Sequence, residues 1–108
     1  MKVILRNSRT KHEKLIVEAL HNVVRLEANI NYTLFVMESG KSKIMSYTLG
    51  MYGLLLCDAF LRVNRSCIIN KNFVRFFDTE NKQIVLKDGT NVKISRRRWE
   101  EVYNTIAI

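Results

Sequence analysis

Ser95-Arg96-Arg97-Arg98 is the sharpest chemical anomaly in the chain. Ser95 is a natural N-cap for a final helix, and the first turn of a helix carries partial positive charge from its unpaired N–H groups. Cations there cost ~0.3 kcal/mol or more each, so three consecutive arginines work against the helix they begin. A bound anion resolves the conflict, because helix N-termini and guanidinium groups both hold phosphate. Glu100 and Glu101 offset part of the charge from the following turn. A second cluster, Arg62-Val63-Asn64-Arg65-Ser66, closes a strand. Arginine suits the edge of guanine, and asparagine suits that of adenine. Lys71 and Arg75 add positive charge nearby in the sequence, with the polar Asn72 between them. A third candidate is the polar loop Asn29-Ile30-Asn31-Tyr32-Thr33. Taken singly, each cluster also has a plain structural reading: a solvated basic turn, a half-exposed strand and an asparagine-rich β-turn.

The elements that must position these residues are mostly short strands. Leu15-Ile16-Val17, Val23 to Ala28, and Tyr32 to Glu38 read as strands, the last ending at the turn pair Ser39-Gly40. Lys43 to Ser46 returns as its hairpin partner. The period then changes: Leu49, Tyr52, Gly53 and Leu56 fall on one helical face, with Thr48 as a suitable N-cap. Gly50 and Gly53 weaken that helix by ~1 kcal/mol each relative to alanine, so it needs a sheet to pack on. Strands resume at Phe60 to Asn64, Phe73 to Asp78 and Gln83 to Lys87. Asp88-Gly89 then reads as a two-residue type I′ turn. The next strand alternates, Val92 and Ile94 inward, Lys93 and Ser95 outward. A terminal helix carries Trp99, Val102, Tyr103 and Ile106 as its buried stripe. The expected fold is mainly β, with eight or nine short strands, one short central helix and a C-terminal helix.

Length and composition set the limits. The 108 residues make one domain, 1–108, with residues 1–13 as a loose basic arm or a first edge strand at Lys2 to Leu5. The hydrophobic fraction of 47% is globular, and there is no proline. No apolar run approaches the ~18 residues of a membrane span, and the N-terminus turns polar too early for a signal peptide. A cytoplasmic location without membrane insertion is expected. Cys57 and Cys67 sit in apolar sequence and read as reduced core residues rather than a disulfide or a redox switch. No spacing suggests a zinc site, and no cofactor is expected. The net charge of +8 opposes compaction, so it points to an anionic partner: nucleic acid, an anionic membrane surface or an acidic protein.

Three motifs together resemble the LytTR family. Residues 60–70, Phe-Leu-Arg-Val-Asn-Arg-Ser-Cys-Ile-Ile-Asn, are similar to its signature segment, in which histidine stands where this chain has Asn64 and an aromatic where it has Cys67. Ile84 to Arg98 resembles a second signature, a hairpin ending in Ser-Arg-Arg. Val24-Arg25-Leu26-Glu27-Ala28 with Asn31-Tyr32 resembles a third. The resemblance runs from about Lys14 to Ile106. It implies an elongated arrangement of short antiparallel sheets that binds double-stranded DNA as a transcription regulator, reading successive major grooves through loops at sheet ends. Carried over by position, base contacts fall on Asn31, Tyr32 and Thr33, on Arg65 with Asn64 beside it, and on Arg97. Arg62, Ser66, Lys71, Lys93, Ser95, Arg96 and Arg98 become phosphate contacts. A second copy on a direct repeat is the family expectation. The 108 residues leave no room for a receiver domain, so either a stand-alone regulator, favoured by the start at Met1, or an excised domain is expected.

Rival readings fare worse. Gly50-Met51-Tyr52-Gly53 has the form of an RNA-binding G-x-x-G loop, but it lies in the apolar stripe of a helix. Phe73, Phe76 and Phe77 around Arg75 suit a single-strand binder, though a β-core explains them better. His12 and His21 have no metal-ligand spacing, and no nucleophile or phosphate-loop motif is present, so no enzyme is expected. The alternative function is a protein-interaction module acting on a membrane or regulator partner, with weak DNA binding.

Overall fold

The computed structural model describes residues 20–56 and 58–106. Within them, eight strands form two antiparallel sheets. The strands are β1 (Val23–Asn29), β2 (Tyr32–Met37), β3 (Ser42–Met45), β4 (Phe60–Asn64), β5 (Cys67–Asn70), β6 (Val74–Asp78), β7 (Gln83–Leu86) and β8 (Asn91–Lys93). The larger sheet has the order β3-β2-β1-β5-β4 and the smaller β6-β7-β8. Helix α1 (Leu49–Leu55) and helix α2 (Trp99–Ile106) complete the domain, which measures 43 × 28 × 25 Å. The fold class is therefore the expected one. The Leu15–Val17 strand, the arm at 1–13 and Cys57 lie outside the described residues.

Both faces of the larger sheet are covered, which gives two cores. One holds Val23, Leu26, Phe35, Met45 and Ile68 beneath Leu49 and Tyr52 of α1. The other holds Val24, Val63, Ile69, Ile84, Leu86 and Val102 between the sheets and α2. A bulge between Val23 and Arg25 in the pairing with β2 breaks the strand alternation, so that Val24 and Leu26, two residues apart, enter opposite cores. Strand β5 is buried at all four positions. It was not foreseen as a strand, because a segment covered on both faces loses the alternation that marks one.

Helix α1 forms where expected. The Thr48 hydroxyl oxygen accepts from the Met51 N–H at 3.4 Å, and Tyr52 packs edge-on against Phe35 at 4.9 Å. A Cβ added at Gly53 would lie 3.9 Å from Ile68 Cδ1, so close packing does not require this glycine. The Asp88-Gly89 turn differs from expectation. Only Gly89 has positive φ, at 90°, and the Leu86 N–H donates to the Thr90 carbonyl at 2.9 Å. The loop is thus three residues, Lys87-Asp88-Gly89, with glycine alone in the left-handed position, the usual three-residue hairpin. Glu38-Ser39-Gly40 repeats it, with Gly40 at φ 91°. In α2, Tyr103 is 46% exposed rather than buried, and stacks beside Trp99 and Phe77 at the rim.

The two sheets are braced by Arg25. Its Nη1 donates to Asp88 Oδ2 at 2.9 Å and to Thr90 Oγ1 at 3.0 Å, and its Nε donates to Glu27 at 3.0 Å. The tip of the β7–β8 hairpin is fastened to β1 by this one side chain.

Candidate nucleic-acid interface

Strand pairing brings two of the three sequence clusters to one end of the larger sheet. Asn29 pairs with Tyr32 across the β1–β2 turn, and Asn64 pairs with Cys67 across the β4–β5 turn. Because β1 and β5 are antiparallel neighbours, both tips emerge together. The Ala28 N–H donates to the Ser66 carbonyl at 2.8 Å and ties one tip to the other.

The third cluster joins through β4. Asn64 Nδ2 donates to the Lys93 carbonyl at 2.6 Å, and the Ser95 N–H donates to the Val63 carbonyl at 2.9 Å. The segment leading into Arg96–Arg98 is thereby pinned to the strand that carries Arg65. Hydrogen bonds thus run from the first tip through the second to the arginine turn. Arg65, Arg96 and Arg97 are exposed, and their side chains make no hydrogen bond or ion pair with a described residue.

Arg96–Arg98 is a 3-10 turn rather than the first turn of the α-helix, which starts at Trp99. Ser95 caps this turn, its Oγ accepting from the Arg98 N–H at 3.2 Å. Arg98 is partly buried and pairs with Glu101 at 3.4 Å. The arrangement leaves Arg96 and Arg97 outward and spends Arg98 on the helix.

Other expected contacts turn out to be internal braces. Thr33 is fully buried, and its hydroxyl donates to the Tyr47 carbonyl at 2.8 Å, so its side chain is not offered to DNA. Asn64 uses both ends of its amide: besides the bond to Lys93, its Oδ1 accepts from the Ser66 N–H at 2.7 Å. Arg62 donates to the carbonyls of Asn64 at 3.2 Å and Arg65 at 2.7 Å, fixing the shape of the second tip. Burial and the neighbouring Arg98 charge hold the Arg62 guanidinium below its ordinary value. Lys71 does not join the cluster. It follows the far end of β5, about 16 Å along the chain from Ser66 at ~3.3 Å per residue.

The first tip has a feature that the sequence reading passed over. Ile30 is 91% exposed and has φ 57°, a backbone region unfavourable for a β-branched residue. With Asn31 and the 52%-exposed Tyr32, it is what this tip presents to solvent. An isoleucine between two asparagines was the available signal. Asn70 was also passed over as a brace. It is fully buried, with its Nδ2 donating to the Val23 carbonyl at 2.9 Å and its Oδ1 accepting from Asn72 N–H at 3.0 Å. Cys67 lies in the inter-sheet core, where burial, reinforced by Glu27 and opposed by Arg25, pushes its thiol up to about 12. Such a thiol is inert near neutrality. Among the described residues, no cluster of three or more His, Cys, Asp or Glu is placed to hold a metal ion, and no helix is long and apolar enough to cross a membrane.

The end surface thus carries one uncharged tip and two arginine-bearing ones over two open sheets, an arrangement whose unpaired cations suit an anionic ligand. The comparisons agree. The LytTr DNA-binding domain model matches residues 13–107, nearly the whole sequence. The chain belongs to the LytTR family of DNA-binding domains. A solved LytTr DNA-binding domain, from a protein assigned as a methyl-accepting/DNA response regulator of Bacillus cereus, superposes on this LytTR domain with a TM-score of 0.70. The two are 25% identical, and the match covers 82% of this chain and 84% of that one. No curated protein matches it. The family is one of DNA-binding domains and not of enzymes.

Proposed function

We propose that this LytTR domain binds double-stranded DNA with sequence specificity and regulates transcription in the cytoplasm. The observation that carries the reading is the run of hydrogen bonds joining three exposed tips: Ile30-Asn31-Tyr32, Arg65-Ser66 and Arg96-Arg97. A rigidly spaced set of loops can address successive grooves. In this reading Arg65 and Arg97 contact base edges, with Asn31 and Tyr32 in the first groove. Ser66, Lys93 and Arg96 hold phosphates. Asn64 and Arg62 act through the shape of the second tip, while Ser95 and Arg98 set the third. Two copies on a direct repeat complete the proposal.

Phosphate contacts supply most of the affinity, so binding weakens steeply with salt. Base contacts supply discrimination, at about 1–3 kcal/mol for each good bidentate pair. The test is selection of duplexes from a random pool, followed by fluorescence anisotropy over a salt range. Enrichment of a defined repeat is the expected result. Arg97→Ala should lower affinity for the selected duplex about 10-fold or more while changing random duplex little. Equal losses on both would make Arg97 a phosphate contact only. Absence of binding by the unmodified domain at low salt would refute the reading and favour a protein partner.

A further inference from the structure

Beside the arginine turn, the β6–β7 turn and the end of β8 enclose an open cleft of about 370 Å³ lined by Asn81, Lys82, Lys93, Ile94 and Arg96. Three of these five residues are cationic and none is acidic. Within the described residues the ion pairs are Arg25 with Glu27, Arg25 with Asp88, and Arg98 with Glu101, so none of the three cations is neutralised by a described acid. Like charges lining a concave surface repel one another and focus a positive field into it.

The β6–β7 turn is built rigidly. Asp78 accepts from the Asn81 N–H at 3.1 Å and from Asn81 Nδ2 at 2.8 Å, and the Lys82 carbonyl accepts from the Ile94 N–H at 2.9 Å. Lys82 itself sits at φ 52°, a conformation glycine or asparagine takes more cheaply. A lysine in that position brings a charge at a conformational cost. Its ammonium lies 5.2 Å from the centre of the Trp99 ring, so it is held over the cleft's edge by an aromatic face and not by a carboxylate.

We infer that this cleft binds a phosphodiester of the duplex next to the base pair addressed by Arg97, with Lys82 as its outer clamp. The inference rests on the DNA-binding reading above. It adds the β6–β7 turn, absent from all three sequence clusters, to the contact surface. Arg96 connects the two, since it both lines the cleft and precedes Arg97 in the same turn. The ligand class is a backbone phosphate. Asn81 spends its amide on Asp78 and a lysine ammonium acts as a point charge, so Lys82 contributes affinity without discrimination.

The experiment measures the slope of log affinity against log salt for the selected and a random duplex. It compares the unmodified domain with Lys82→Asn, which tolerates the positive φ, and Lys82→Arg, which keeps the charge. Removing one phosphate contact should reduce the slope by about 0.9, so that between 50 and 200 mM salt the variant loses about 3-fold less affinity than the parent. Lys82→Asn should weaken both duplexes alike and leave base preference unchanged, and Lys82→Arg should restore the slope. Trp99 is the single tryptophan, so its fluorescence reports the same event: DNA should change its emission in the parent and less so in Lys82→Asn. If Lys82→Asn fails to fold, Lys82→Gly takes its place, since glycine accepts this φ freely. Binding with an unaltered slope and an unaltered Trp99 response overturns the cleft and leaves the DNA-binding reading standing. No duplex binding by the parent overturns that reading itself.

Discussion

Replacing Asn64 by alanine separates two roles for this residue that the sequence alone confuses. Its amide makes two hydrogen bonds, to the Lys93 carbonyl at 2.6 Å and from the Ser66 N–H at 2.7 Å. Each is worth ~0.5–1.5 kcal/mol net, and the surroundings admit water that re-solvates part of what is lost. The expected destabilisation is therefore about 1–2 kcal/mol, a fall in Tm of ~4–16 °C for a domain near this size. The bond to Lys93 also spans the two sheets, so its loss lets the Arg65 tip drift relative to the Arg97 turn. Affinity for the selected duplex should fall several-fold, with the ranking of base substitutions unchanged. Thermal unfolding followed by circular dichroism gives the first number, and anisotropy on a panel of single-base duplex variants gives the second. An unchanged Tm together with a lost preference at one base pair would refute this account, because it would mean that Asn64 reads a base directly.

Three further outcomes are expected. Arg25→Met should cost about 2–3 kcal/mol, since the side chain is only 14% exposed and holds two carboxylates of which one lies on the other sheet; a chemical denaturation curve measures it. The same variant should flatten the acid limb of stability. Burial raises the Asp88 carboxyl, but the Thr90 N–H and hydroxyl and the Arg25 guanidinium outweigh it and bring the group below its ordinary value. A depressed carboxylate stabilises the fold above its unfolded value of ~3.9 and loses that contribution as pH falls through the folded value. The parent should thus weaken as pH drops below about 4, and Arg25→Met should do so less. Ile30→Asn relieves a left-handed φ and should raise stability by about 1 kcal/mol, read as a higher Tm; no change would show that the turn carries no strain.

The fold class was legible because several strands keep one face more exposed than the other. Residues 60–64 alternate, and so do 91–95, and a period of two is unambiguous there. The change to helical spacing at Leu49 was equally plain. What escaped was whatever depends on tertiary company. Strand β5 has neighbours on both faces and shows no period. Tyr103 falls on the apolar stripe of α2 but lies beyond the edge of the sheet. The turn at Asp88 turned on one extra loop residue. Of the candidate site, the outward arginines were legible from charge alone. The division between side chains that face outward and those that hold the tips was not. Thr33, Asn64 and Arg62 have types suited to DNA, but their hydrogen-bonding groups are directed inward by strand register, which a linear motif does not record. Asn81 and Lys82 escaped because they come from a turn with no family motif, and only the fold places them beside Arg96.

Strand β5 places Ile68 in one core and Ile69 in the other, and the Arg65-Ser66 tip is launched directly from it. The two cores therefore share a wall and cannot melt one at a time, which makes the described domain a single cooperative unit. Local opening, which usually begins at hairpin ends, would here have to disturb the most enclosed backbone in the molecule. The Arg65-Ser66 tip is stiff for that reason. In the proposed complex it meets DNA already shaped, and little conformational entropy is left to lose on contact. Under that proposal discrimination would follow from the same stiffness, since a tip that does not yield cannot accommodate the wrong base pair.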